Sequence, residues 1–217
     1  MEDEKSNFMP NGKRKKELVE KDIKGLKVIS QKNFNTIVDN LYSPEINFKD
    51  IPNVVLLPNL KKKLRNLLGI TGNLYFTKRR FAHTNPVTKA RHSNQSFRIE
   101  KYKGILRWIK NSTYAIRENG SCYRTFMLTK LDEEDNSKVN ILLFNEDELG
   151  NFVVTLKKIE IKALINKNYE LVGAGVEPAI SLALSKRPTT LTSSTTNSDK
   201  TITSTKETVN NNLGRRE

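Results

Sequence analysis

Apolar residues recur at helical spacing in two places along the chain. Leu60, Leu64, Leu67 and Leu68 form one stripe, with Asn59 as a candidate N-cap and Gly69 closing the run, which predicts a short basic amphipathic helix. Tyr102, Ile105, Leu106 and Ile109 form the second, with Trp108 on its border. Between them, Gly72 and Asn73 precede a short strand, Leu74–Thr77, that ends where Arg79 and Arg80 begin. After Asn119 and Gly120 the period changes. Residues 123–131, 139–144 and 152–159 are rich in aromatic, β-branched and aliphatic side chains and read as strands. The polar links 132–137 and 145–151 have hairpin length, so the three strands form an antiparallel meander.

Other segments carry weaker patterns. Residues 26–30 read as a short strand and residues around 33–41 as a helix. The apolar run 51–58 is broken by Pro52 and Pro58, which makes it an extended lead-in to the core. Pro86 interrupts any helix across 81–98, and Thr84 or Asn85 is placed to cap a new one, so that stretch stays unassigned. Residues 162–166 read as a helical turn. Residues 1–23 form a disordered lead with a basic run at 13–16, and 24–49 an N-terminal extension. Residues 187–217 contain thirteen Ser/Thr and few apolar groups, the composition of a disordered tail. Helices followed by successive strands predict an α+β domain over 50–180, with helices packed on one face of a small antiparallel sheet.

Composition narrows the class. Only 36% of the 217 residues are hydrophobic, in keeping with a chain that is partly unfolded. A lone cysteine, Cys122, excludes a disulfide framework and a cysteine-based zinc site, and two histidines, His83 and His92, leave little room for a histidine-rich metal centre. No apolar run approaches the roughly 18 residues of a membrane span, and the acidic, polar N-terminus is unlike a signal peptide. The expectation is a soluble, intracellular, basic protein without membrane contact.

The location of the charge changes the picture most. Between Leu60 and Lys110 stand fourteen Lys/Arg against one acid, Glu100, so this quarter of the chain holds +13 of the net +14. Lys61, Lys62, Lys63, Arg65, Lys78, Arg79, Lys89, Arg98 and Lys103 are therefore candidate nucleic-acid contacts. So many like charges on one compact unit repel one another unless a polyanion neutralises them. Nucleic acid is the usual partner, through phosphate contacts and counterion release. A solvated basic face without a ligand is the plain alternative. Tyr75, Phe76, Phe81, Phe97, Tyr102 and Trp108 are interleaved with the cations, and aromatic faces stack on unpaired bases. Phe76 and Trp108 lie in apolar patterns and are read as core.

Several chemistries have no support. The acidic groups at 132–135 and 146–148 fall in turns and read as solvated hairpin tips, not as carboxylates holding a pair of metal ions. Gly173 and Gly175 lack the lysine of a phosphate loop and the third glycine of a dinucleotide fingerprint, and no Gly-x-Ser-x-Gly elbow exists. No metal or cofactor is expected. Metal-independent RNA cleavage asks for less: a base to deprotonate the ribose 2′-OH, an acid for the leaving 5′-oxygen, and cations for the developing charge. Histidine suits the first two roles and arginine or lysine the third. Both histidines lie inside the basic segment, flanked by Arg79, Arg80, Lys89 and Arg91.

The run 59–77 (NLKKKLRNLLGITGNLYFT) resembles the start of phage-associated barnase/EndoU/colicin/RelE-like (BECR-type) nuclease domains. The segment 80–86 (RFAHTNP), the helix around 102–109 and the late strand 151–158 (NFVVTLKK) are similar to the same family. In it, a leucine-rich helix ending in LLGI leads into a strand, then a His-bearing helix, a second helix and an antiparallel meander. The resemblance covers about residues 50–175. It implies a metal-independent ribonuclease with His83 and His92 as acid and base, Arg80 or Arg91 as the phosphate-side cation, and Thr155 with Lys157 contributing from a late strand. The chain departs from the family pattern at 91–93, where a proline often follows the histidine. The implied partner is nucleic acid, RNA ahead of DNA, with an acidic inhibitor or a phage structural protein as further partners, in the cytoplasm or associated with the virion. A nucleic-acid-binding or phage structural and packaging module without turnover is the alternative. Both readings require the cations to share a groove.

Overall fold

The computed structural model describes residues 18–85, 98–118, 124–165 and 168–186. The expected lead and Ser/Thr-rich tail lie largely or wholly outside them, as do Lys89, Arg91, His92, Phe97 and Cys122. The described chain is α+β. Its strands are β1 (Val54–Leu56), β2 (Leu74–Thr77), β3 (Tyr114–Glu118), β4 (Thr125–Leu131), β5 (Lys138–Asp147), β6 (Gly150–Glu160) and β7 (Tyr169–Gly173). They make one seven-stranded sheet in the order β1-β2-β6-β5-β4-β3-β7. The helices are α1 (Glu20–Ile23), α2 (Gln31–Leu41), α3 (Lys62–Leu68), α4 (Lys78–Thr84), α5 (Ile99–Lys103), α6 (Ile105–Asn111) and α7 (Pro178–Ser185).

The expected meander is present: β4, β5 and β6 pair antiparallel through hairpin links. The expectation of a small antiparallel sheet is corrected. β2 joins β6 in parallel, Leu74 opposite Asn151 and Tyr75 opposite Phe152, so the sheet is mixed. The broken run 51–58 supplies β1, an edge strand whose prolines flank the paired residues Val54–Leu56. β3 and β7, where the local pattern predicts no strand, extend the other side of the sheet. Residues 26–30 make only a single bridge, Val28 to Leu56.

Helices cover both faces, not one. The main core lies where Phe34, Val38 and Leu41 of α2, Leu64 and Leu68 of α3, Phe81 of α4, Tyr102 of α5 and Ile105 of α6 meet Phe76, Phe126, Leu142, Phe144 and Leu156 of the sheet. Residues 24–49 thus contribute, through α2, to the same core as the elements after residue 50. Ser30 caps α2, its Oγ accepting from the Asn33 N–H at 3.2 Å. On the opposite face Ile180 and Leu184 of α7 pack with Met127, Ile141 and Leu164, and α1 lies near Tyr75 and Phe152.

Two helix boundaries differ from the sequence reading. α3 begins after Lys61, not at Asn59, and no side chain caps it. Its other end is as expected: Gly69 takes φ 68°, the left-handed conformation that ends helices cheaply. The guanidinium groups of Arg117 and Arg124 donate to the Leu67 and Leu68 carbonyls, each at 3.0 Å. The stripe expected to be one helix around 102–109 is divided at Gly104 into α5 and α6.

Candidate nucleic-acid interface

β2 separates two groups of cations. α3 precedes the strand, across the turn 69–73, and α4 follows it directly, so the four residues of β2, about 13 Å of extended chain, are part of what stands between them. Lys61, just before α3, and Lys62 and Lys63 on it are exposed, and among the described residues none of them holds an ion pair. Arg65 on the same helix turns inward, donating to the carbonyls of Thr71 (2.9 Å) and Gly72 (3.3 Å), and so fixes the turn into β2.

Other members of the basic segment are held by carboxylates elsewhere in the fold. Arg98 pairs with Glu134 at 2.7 Å and Lys103 with Asp39 at 2.5 Å. Lys101 reaches Asp132 at 2.9 Å. Among the described residues, three cations of the basic segment are thus neutralised by carboxylates of other elements. Local sequence counts charges but not partners, and the partners here are 31 to 64 positions away.

Asp132 corrects the reading of 132–135 as a solvated tip. It is fully buried and accepts from Lys101 and, at 3.0 Å, from Lys158 of β6. Its Oδ1 accepts the Glu134 N–H at 3.1 Å, and the Asn140 amide also donates to the carboxylate. Burial alone would raise its pKa, but these hydrogen bonds outweigh that and hold the carboxyl well below the usual range. Little in the sequence signals this: Asp132 stands one residue past the end of β4 beside three more acids, and its lysine partners lie 31 and 26 positions away.

The structure does gather one subset of the predicted site. Thr77 caps α4, accepting the Arg80 N–H at 3.4 Å, and α4 continues beyond the end of β2 to pack beside β6. Phe81 anchors it by stacking on Phe76 with ring centroids 3.9 Å apart. That contact turns the helix so that the Arg80 guanidinium lies over the Phe152 ring, 5.4 Å from its centroid. His83 follows Arg80 by three positions, on the neighbouring turn of the same helix side, and is exposed. On β6, Thr155 lies opposite Leu143 and Lys157 opposite Ile141, which places both on the side of the sheet that carries Phe152, away from the main core. Thr155 is buried and Lys157 half-buried. Arg79, Arg80, His83, Thr155 and Lys157 each already engage a neighbour. Lys78 is half-buried at the start of α4, its N–H bonded to the Asn53 carbonyl.

The aromatics of the basic segment are mostly structural. Tyr75, Phe76, Phe81 and Tyr102 are buried, and Tyr102 shares a 2.7 Å hydrogen bond with Thr84 inside the core. Trp108 packs on the edge of the main core and stays partly exposed, which corrects its reading as core alone. Among the described residues no group of three or more His, Cys, Asp or Glu is placed to hold a metal ion, and no helix is long and apolar enough to cross a membrane. No protein-family model, curated protein or solved structure matches the chain.

Proposed function

We propose that the chain is a metal-independent RNA endonuclease of the barnase/EndoU/colicin/RelE-like (BECR-type) kind, and that the α4–β6 junction is its site. The observation that carries this reading is the placement of Arg80 and His83 on one side of α4 beside the strand that bears Thr155 and Lys157. An imidazole, two cations and a hydroxyl are a sufficient set for transesterification at a ribose phosphate. His83 takes or returns the proton of the 2′-OH as that oxygen attacks the adjacent phosphorus. Arg80 and Lys157 meet the charge that grows on the non-bridging oxygens, and Thr155 orients the phosphate. The bond to the 5′-oxygen breaks, leaving a cyclic phosphate, with His92 the candidate for protonating the leaving group.

Incubation of the purified chain with total RNA in EDTA tests the proposal. Cleavage that His83→Ala or Arg80→Ala lowers by about 10²-fold or more supports it. Intact RNA at micromolar protein overturns it. A second reading, nucleic-acid or phage structural binding without turnover, is favoured by the exposed Lys61, Lys62 and Lys63 at the other end of β2. It predicts steeply salt-dependent binding with no products. An acidic inhibitor would dock on the same cations.

A further inference from the structure

A cavity of about 430 Å³ opens between the α5–α6 layer and the ends of β4 and β5. Arg107 and Trp108 of α6 line one side and Lys130 of β4 another, with Glu100 and Lys101 of α5 between them. The volume lies in the range of small-ligand sites. Trp108 packs against the main core and also lines the cavity, so core contacts hold the indole in place while part of it stays open.

An unbalanced charge makes this cavity more than a gap in packing. Lys101 shares the single Asp132 carboxylate with Lys158, and all three side chains are largely or fully buried. Two ammoniums against one carboxylate leave a net positive charge in a layer that water reaches poorly, where its field is weakly screened. The groups around the cavity do not cancel it. Lys130 meets Glu133 at 2.6 Å, but both are more than half exposed, so the pair is weak and gives way to a better partner. Arg107 is exposed and holds no ion pair among the described residues, and the exposed Glu100 only matches it in number. Counted with the buried layer, four cations stand against three carboxylates.

We propose that this cavity binds a flat aromatic ring that carries a phosphate, the ring against Trp108 and the phosphate drawn by Arg107, Lys130 and the excess charge around Asp132. A small inorganic anion would leave the indole and most of the volume unused, and a neutral aromatic would leave the charge unanswered. A nucleoside monophosphate meets both demands. That chemistry has two sources, a free mononucleotide or one nucleotide of an RNA strand. Only the second rests on the RNA reading above.

Trp108 is the single tryptophan of the chain, so its fluorescence reports the cavity directly. The full chain is titrated in EDTA with adenosine 5′-monophosphate, with adenosine (which lacks the phosphate) and with a non-cleavable 2′-O-methyl oligoadenylate. Ribose 5-phosphate, which lacks the ring, is measured by displacement of the monophosphate. Saturable quenching by the monophosphate is expected, with adenosine and ribose 5-phosphate each about tenfold weaker. Added salt should weaken the monophosphate and leave adenosine unchanged. Arg107→Ala, at an exposed position, should bring the monophosphate close to the affinity of adenosine and leave adenosine itself unchanged. Arg107-dependent quenching by the oligomer at lower concentration than by the monophosphate identifies an RNA strand as the source; the reverse identifies a free nucleotide. Equal affinity for adenosine and its monophosphate, ribose 5-phosphate as tight as the monophosphate, monophosphate binding unchanged in the Arg107 variant, or no saturable response at millimolar concentration overturns the proposal. The readout is binding without turnover: monophosphate binding with intact RNA removes the nuclease reading and keeps the pocket, and RNA cleavage without monophosphate binding does the reverse.

Discussion

Replacing Asp132 by asparagine removes one negative charge from a fully buried position where two ammonium groups meet on the same carboxylate oxygen, at 2.9 and 3.0 Å. The substitution conserves shape, so its effect is electrostatic. Lys101 and Lys158 are only 19% and 16% exposed and would then face each other without a counter-charge. With the ammoniums ~5 Å apart and an effective dielectric of ~20, their repulsion is about 3 kcal/mol. Breaking a buried pair by deleting one partner costs about 3–5 kcal/mol in general, and escape of the lysines toward water points to the lower end, about 3 kcal/mol. Urea denaturation at neutral pH should show it as a midpoint lowered by about 1.5 M, taking a slope of about 2 kcal/mol/M. Thermal unfolding should fall by about 6–12 °C. The pH arm fixes the cause. Because the folded carboxyl is held below its unfolded value near 3.8, its contribution is present above that value and is lost as pH falls toward the folded one. Wild type and variant should therefore converge in stability in strong acid. A loss under about 1 kcal/mol at neutral pH, or a difference that persists unchanged in strong acid, refutes the reasoning.

Phe81→Ala removes the ring stacked on Phe76 and should cost about 3–5 kcal/mol by chemical denaturation, because α4 has no other fully buried aromatic anchor. Gly173→Ala places a Cβ 2.3 Å from the Thr113 carbonyl oxygen at φ 109°, so a destabilisation above about 2 kcal/mol and weakened exchange protection of β3 and β7 are expected. Burial, aided by the charge of Glu118, pushes the Tyr169 hydroxyl up to about 12, so ultraviolet titration should show it ionising later than a free tyrosine. That group's share of stability is full below pH 10 and lost as pH rises through 12. On the proposed nucleic-acid reading, Lys61→Glu with Lys62→Glu should leave the unfolding midpoint nearly unchanged and weaken RNA binding. The salt slope of that binding should fall by about one for each phosphate that the pair neutralises in the native protein.

Local pattern determined a good part of this fold. The leucine stripe and Gly69 specify α3 and its end, Ser30 and the apolar face of Phe34, Ile37, Val38 and Leu41 specify α2, and period-two segments specify the β4–β5–β6 meander. Each of these depends on contacts within one or two turns or hairpins, which a linear sequence states directly. The parallel seam of β2 with β6 joins residues more than seventy positions apart, and no local period encodes it. The same holds for the charges. Composition revealed a +13 segment but not that Asp39, Asp132 and Glu134 would claim three of its cations, nor that β2 would part the α3 lysines from Arg80 and His83. Only the tertiary fold decides which charges meet water, since an ion pair forms wherever packing brings two groups within reach, whatever their separation along the chain.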